Sequence, residues 1–226
     1  MAQQVVALVP MRHHSSRVPG KNYRDFAGKP LYYHILETLL AVPEVETILV
    51  DTDSPIILAG LETDFPMVQK IARPEQLRGE MVSMNEILIH DTGILQSAYY
   101  FQTHSTNPLL TSGTISTAIQ TFFDSLPNFD SLFSVSRLQT RLWDQEGKPI
   151  NHDPDLLLRT QDLPPIYEEN SCMYIFNRET LISRHNRLGQ HPFMYEIPGQ
   201  EAWDIDEELD FTVAEMLYRL SHQALI

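Results

Sequence analysis

The chain has 226 residues, of which 42% are hydrophobic and 20% charged, an ordinary globular balance with enough material for one substantial core. A formal charge of −14 excludes wrapping a nucleic acid backbone, which needs basic surface to displace counterions. No apolar run approaches the roughly 20 residues that span a bilayer, and the single Cys172 allows neither an intramolecular disulfide nor a cysteine metal cluster, which fits a reducing compartment.

Met1-Ala2-Gln3-Gln4 has no basic stretch ahead of its short apolar run. It reads as the entry to a strand, not as a secretory signal, and a cytoplasmic protein is expected. Val5 to Val9 is continuous, apolar and β-branched, as in a buried parallel strand, and Pro10 is expected to end it. A loop follows. Leu31, Ile35, Leu39 and Leu40 fall near helical spacing between Pro30 and Val42, and Thr47 to Val50 reads as a second strand, completing a βαβ unit. Ser54 to Gly60 predicts a short helix, Met67 to Ile71 a strand, Ser83 to Gln96 a longer helix and Tyr99 to Gln102 a strand. Thr114 to Phe123 then predicts a helix and Ser131 to Val135 a strand.

Such alternation implies an α/β fold: a Rossmann-like, mostly parallel sheet with helices on both faces and its functional edge at the carboxyl ends of the strands. Residues 138–165 break the pattern with a polar, proline-containing stretch, read as an arm or hairpin outside the core sheet. The strand pattern returns at Met173 to Phe176. Leu209 to Leu220 closes the chain as an amphipathic helix whose expected buried side is Leu209, Val213, Met216, Leu217 and Leu220. The whole, 1–226, is expected to be one domain with 138–165 as its excursion.

The chemistry begins in the loop after the first strand. Arg12, Arg17, Lys21, Arg24 and Lys29 fall within eighteen positions of a chain that has only 16 Lys and Arg. Cations, hydroxyls and free backbone N–H groups at the carboxyl end of a strand suit a triphosphate held while its α-phosphorus is attacked. The Walker spacing is absent. On composition alone the cluster is an anion site or a solvated basic loop, and the His13-His14 pair lacks the further donors a metal site needs. Asp204 and Asp206 would point the same way from an extended stretch and could together hold a divalent cation; a lone Asp-x-Asp in a chain with 30 acidic residues is otherwise surface charge.

The wording of the loop resembles the acylneuraminate cytidylyltransferase family, the enzymes that make CMP-sialic acid, and their relatives that activate Kdo. Pro10, Arg12, Ser15, Pro19, Lys21 and Asn22 match the family's opening signature, and Phe26-Ala27-Gly28-Lys29-Pro30-Leu31 its next segment. In the same order come Asp51-Thr52-Asp53, Arg73-Pro74 with Leu77 and Ser83, Gln102 and Pro108, and Asp204-Ile205-Asp206 with Asp210.

The resemblance implies CMP transfer from CTP to an acidic sugar. Arg12 and Lys21 would hold triphosphate oxygens, with Ser15 adding a hydrogen bond and Asn22, Arg73 and Ser83 lying around the cytidine. Asp204 and Asp206 would bind Mg2+ between phosphate and sugar, so that Arg12, Lys21 and Asp206 form the catalytic set. Gln102, Arg159, Gln161 and Asn170 would face the sugar. Carried over from the family, the polar arm would cross to a second subunit in a homodimer and help finish its sugar site.

Several positions depart from the family pattern. Ser16 stands where a lysine usually follows Ser15, with Arg17 next to it, so the charge has moved by one residue or a phosphate contact is lost. The segment Gln102 to Pro108 is longer than usual, and Glu168-Glu169 add negative charge beside an anionic substrate. These keep open which acidic sugar is used, whether sialic, legionaminic, pseudaminic or Kdo-like. They also keep open a contrasting protein that binds nucleotide without catalysis.

Overall fold

The computed structural model describes residues 3–223, so Met1 and Ala2 at the start of the segment read as a non-signal entry lie outside it, as do residues 224–226. Strand β1, Val5–Met11, is buried at every position. Its odd residues Val5, Ala7, Val9 and Met11 enter one core layer and its even residues Val6 and Leu8 the opposite one. That is why the run is continuously apolar: a strand covered on both faces has no side left for polar residues.

Around β1 the strands β4 (Val45–Thr52), β5 (Gln69–Ala72), β6 (Tyr100–Thr103), β7 (Ser131–Leu138), β8 (Ile166–Phe176) and β9 (Pro192–Glu196) form a seven-stranded sheet in the order β5-β4-β1-β6-β8-β7-β9. The β1–β4, β1–β6, β4–β5 and β7–β9 pairs are parallel, while β8 runs antiparallel to both its neighbours, β6 and β7. A small hairpin, β2 (Asp25–Phe26) with β3 (Lys29–Pro30), stands apart. Helices α1 (Leu31–Leu40), α2 (Pro55–Asp64) and α4 (Ser112–Ser125) contribute Leu36, Leu61 and Phe122 to the first layer. Helices α3 (Met84–Ile94) and α5 (Arg178–Arg184) contribute Leu88 and Leu181 to the second. Both faces of a mostly parallel sheet are therefore covered.

Pro10 does not end β1. The N–H of Val5 is directed to the β4 side, bonding Glu44, and that of Val6 to the β6 side, bonding Tyr99. By alternation the nitrogen of Pro10 faces β6, whose pairing with β1 covers only Val6 to Leu8. The missing donor falls beyond the end of that ladder, and Pro10 keeps its register with Asp51 on the other side.

The closing helix α6 (Glu208–Gln223) also differs from its expected orientation. Leu209, Met216 and Leu220 are 71%, 60% and 63% exposed, whereas Phe211 and Ala214 are buried against Val18, Phe26 and Leu31. The helix packs on the first loop and its hairpin, not on the sheet. Aromatic contacts of Phe26 with Phe211 and Tyr218, and ion pairing of Arg24 with Glu208, turn the other side inward. Sequence periodicity favoured the larger aliphatic stripe and could not see that the partner surface was aromatic.

Between β7 and β8 residues 139–165 make an irregular excursion containing a single Trp143–Pro149 bridge and a short 3-10 turn at Thr160–Asp162. Asn151 pins its base, accepting from the N–H of Leu142 and donating to the carbonyls of Thr140 and Pro164. The returning strand β8 begins seven residues earlier than the Met173 start expected from apolar content. Its first half pairs with β7 while carrying exposed polar side chains such as Glu168 and Glu169.

Candidate active site

A cleft of about 370 Å³ opens where β1, β4, β5 and β6 end at their carboxyl termini, lined among others by Arg12, Ser15, Lys21, Asn22, Arg73 and His104. Five of the six residues expected around the nucleotide therefore meet in one place. A larger hollow of about 770 Å³ lies between α1 and α6, but its lining contains no Lys or Arg and cannot neutralise a triphosphate.

The first loop divides its five basic residues. Arg24 pairs with Glu208 and Lys29 with Glu37, binding the hairpin to α6 and α1. Arg12, Arg17 and Lys21 line the cleft. The loop is shaped by Gly20, whose φ of 68° is left-handed, and by the short 3-10 turn Lys21–Tyr23 that follows it. Asn22 is buried and works as a strap: its amide donates to the Arg12 carbonyl at 2.7 Å and accepts from Ser105 Oγ at 2.8 Å. That use of both ends of the amide shows how the loop is pinned to the segment after β6. His13 is likewise structural, its N–H donating to Asp53 at 2.6 Å and its ring stacking on Tyr23.

Lys21 donates to the carbonyl of Ile205 and lies 3.9 Å from Asp206 Oδ1. Burial lowers its pKa, opposed by the charges of Asp204 and Asp206. Asp206 Oδ1 also accepts from Arg17 Nη2 at 2.7 Å, so the charge displaced from position 16 to 17 now faces the acidic pair. Asp210 Oδ2 accepts from the N–H groups of Asp206 and Glu207 at 3.0 and 2.8 Å, holding that turn. Burial raises the pKa of Asp204, and its Oδ1 is buried with no hydrogen-bond partner. An orphaned carboxylate oxygen beside a second carboxylate is the donor set a hard divalent cation takes up.

Arg73 is 1% exposed, with Nε donating to Asp51 Oδ1 at 2.9 Å and Nη2 to the Asp51 carbonyl at 3.0 Å. Asp91 on α3 sits against Asp51, and the pair together with His90 has the spacing of a metal-binding group. The charge balance favours a proton there. Burial, then the neighbouring charge of Asp51, pushes Asp91 up to about 9, so that it is protonated and hydrogen-bonds to Asp51. With Arg73 already pairing with Asp51, one positive charge meets one negative charge without a metal.

The remaining expected positions lie outside the cleft lining, Asp204 and Asp206 among them although they neighbour Lys21. Ser83 is the N-cap of α3 and forms a capping box with Glu86. Asn170 accepts from Ser134 Oγ at 2.5 Å and donates to Ser136 Oγ at 3.0 Å, clamping the irregular β7–β8 pairing next to the positive φ of Ser171. Arg159 and Gln161 lie on the excursion, where Arg159 makes a two-pronged ion pair with Asp162. Gln102 is buried at the end of β6, behind His104. Arg187 went unnoticed in the sequence because it stands alone after a short helix. It donates to Gln102 Oε1 at 2.6 Å and covers the Tyr174 ring at 3.5 Å.

Comparison with known proteins gives the family and the fold. A family model described as cytidylyltransferase matches residues 6–223. The chain is 24% identical to a pseudaminic acid cytidylyltransferase of Campylobacter jejuni, over 97% of this chain and 98% of that protein. It is 27% identical to a CMP-N,N'-diacetyllegionaminic acid synthase of Legionella pneumophila, over 99% and 100% of the two chains. With an N-acylneuraminate cytidylyltransferase of Streptococcus agalactiae it shares 25% identity over 91% of its own length and 51% of the other's. A solved CMP-2-keto-3-deoxy-manno-octonic acid synthetase complexed with CTP superposes with a TM-score of 0.74 at 18% identity, covering 96% of this chain and 99% of that one.

Proposed function

The chain belongs to the cytidylyltransferase family, and from that premise we propose that it transfers CMP from CTP to the anomeric hydroxyl of a sialic-acid-like nonulosonic acid. The observation that carries the proposal is the approach of Lys21 to Asp206, 3.9 Å apart, which brings a cation of the cleft lining against the acidic pair. In the reaction the sugar oxygen forms a bond to the α-phosphorus, the bond to the β-phosphate bridge breaks, pyrophosphate departs, and the hydroxyl proton is lost to a base.

Arg12 and Lys21 would bind triphosphate oxygens and stabilise the charge that gathers on them as the leaving group departs. Ser15 would donate a further hydrogen bond, and Asn22 acts by holding the carbonyl of Arg12 in place. Arg73 and Ser83 would border the cytidine, Arg73 from its fixed seat on Asp51. Asp204 and Asp206 would hold Mg2+, and the partnerless buried oxygen of Asp204 supports that fit. Held there, the cation would supply charge neutralisation for the phosphate and make the attacking hydroxyl easier to deprotonate. Arg17 releases Asp206 readily, because their pair is half exposed on both sides.

On the sugar side we place Gln102 behind the acceptor, acting through the His104 and Arg187 side chains it bonds, and assign the arm residues Arg159 and Gln161 to the site of a second subunit. The arm supports a homodimer by exposing Trp143, Leu156 and Leu157 at 52%, 56% and 87%, apolar surface that a lone chain leaves in water. Asn170 would border the same pocket through the strand pairing it clamps. The requirement for CTP favours a cytoplasmic setting.

The test is pyrophosphate release with magnesium and an acidic sugar, comparing CTP with ATP, GTP and UTP. Release confined to CTP is expected; equal release from another nucleotide would remove the cytidylyl assignment.

A further inference from the structure

An acidic acceptor brings a carboxylate into the site, and a carboxylate taken out of water needs a fixed cation. Arg159 on the arm is already neutralised by Asp162. Arg187 is not. Its guanidinium is largely buried, which pulls its pKa below the ordinary value, yet an arginine stays charged throughout the physiological range. It forms no ion pair among the described residues; the charge of Glu169, which accepts from the Tyr174 hydroxyl, acts on it without direct contact.

The hydrogen-bond polarity around it is fixed. Arginine can only donate, so Gln102 presents its oxygen to Arg187 and its amide nitrogen to His104 Nε2, 3.0 Å away. Burial, with the charges of Arg187 and Lys21, pushes His104 down to about 3, so the ring is neutral and accepts at Nε2. His104 lines the cleft. The chain Arg187–Gln102–His104 thus runs from a buried cation to the cleft.

The loop that carries Arg187 is rigid. The N–H of Arg187 donates to Asn85, that of Leu188 to Asn186 and that of Gly189 to Ser131 Oγ, while Asp130 accepts from Gln190 and His191. Gly189 is required there, since a Cβ would lie 1.9 Å from Asp130 Oδ1. A cation held this firmly loses little entropy on binding an anion.

We propose that Arg187 is the cation that binds the carboxylate of the acidic acceptor, beside Gln102 and within the same chain as the nucleotide loop. Tyr174 backs one face of the guanidinium at 3.5 Å and Nη1 donates to Gln102, so its neighbours orient the group without spending its charge on a carboxylate. The assignment rests on the proposed acidic-sugar substrate.

The test is steady-state pyrophosphate release by the full chain with CTP, magnesium and whichever of N-acetylneuraminic, pseudaminic, N,N'-diacetyllegionaminic acid or Kdo supports turnover. Arg187→Met should raise the acceptor KM roughly 100-fold while the CTP KM changes by less than about threefold, with Arg187→Lys recovering part of the loss. The methyl ester of the same sugar should lose a similar factor with the unmodified protein and little more with Arg187→Met. Glu169→Gln, which removes a competing charge, should lower the acceptor KM. Should Arg187→Met fail to fold, Arg187→Lys, Glu169→Gln and the ester carry the same readout. An acceptor KM that does not move, or an ester used as well as the acid, would overturn the assignment while leaving the cytidylyl reaction intact. Absence of turnover by the unmodified protein with every acidic sugar would instead sink the substrate reading and this assignment with it.

Discussion

Arg17 in the first loop donates from Nη2 to Asp206 Oδ1 at 2.7 Å across 189 positions of sequence, so a cation of the cleft lining is tied to the acidic turn near the end of the chain. Both side chains are about half exposed, at 58% and 50%, and a pair so wet contributes at most about 1 kcal/mol. It orients Asp206 without competing seriously against a divalent cation or a phosphate for either partner.

From this arrangement Asp206→Asn is expected to lower kcat on the order of 100-fold or more, by removing a carboxylate from the metal pair. CTP affinity, which we assign to Arg12 and Lys21, should change little. Isothermal titration alongside turnover separates the two, and unchanged turnover would take Asp206 out of the reaction.

The Asp51–Asp91 pair makes stability fall with rising pH. Asp91 is raised to about 9 in the folded chain from an ordinary carboxyl value of 3.8. Between those values the folded state holds a proton that the unfolded state has released. The favourable contribution of that proton is complete at low pH and declines as pH rises through this window. Asp91→Asn keeps a hydrogen-bond donor toward Asp51 and has no proton to lose. Urea denaturation from pH 5 to 9 should show its stability relative to the unmodified protein growing with pH. A constant difference across that range would mean that Asp91 is ionised in the fold.

Leu157 on the arm is 87% exposed, so Leu157→Asp removes no packing within the chain and should leave single-chain stability within about 0.5 kcal/mol. If the arm covers a second copy, the same change should shift sedimentation toward monomer. A dimer that survives it at the same concentration would move the interface away from this part of the arm.

Much of the sheet was legible in sequence because β1, β4 and β6 are buried strands whose apolar content marks them plainly. The first half of β8 was not. Its Glu168 and Glu169 lie on a strand that pairs with β7 but faces solvent, and backbone pairing leaves no mark in side-chain polarity there. Strand β9 was missed for a different reason: Pro192–Glu196 is a short edge strand opened by a proline, pairing only with β7. The site divides along the same line. Arg12, Ser15, Lys21 and Asn22 are neighbours in one loop, so their spacing could be read, and Arg73 follows the strand that ends at the cleft. Arg187 reaches Gln102 across 85 positions, and only the folded chain brings them together.

The most direct measurement is phosphorus NMR of CTP and magnesium incubated with the protein and each acidic sugar in turn. The account predicts a new phosphodiester resonance from a CMP-sugar appearing in equal amount with pyrophosphate, for at least one nonulosonic acid and not for neutral sugars. Pyrophosphate formed together with free CMP and no phosphodiester, whichever acidic sugar is present, would mean hydrolysis without transfer and would contradict it.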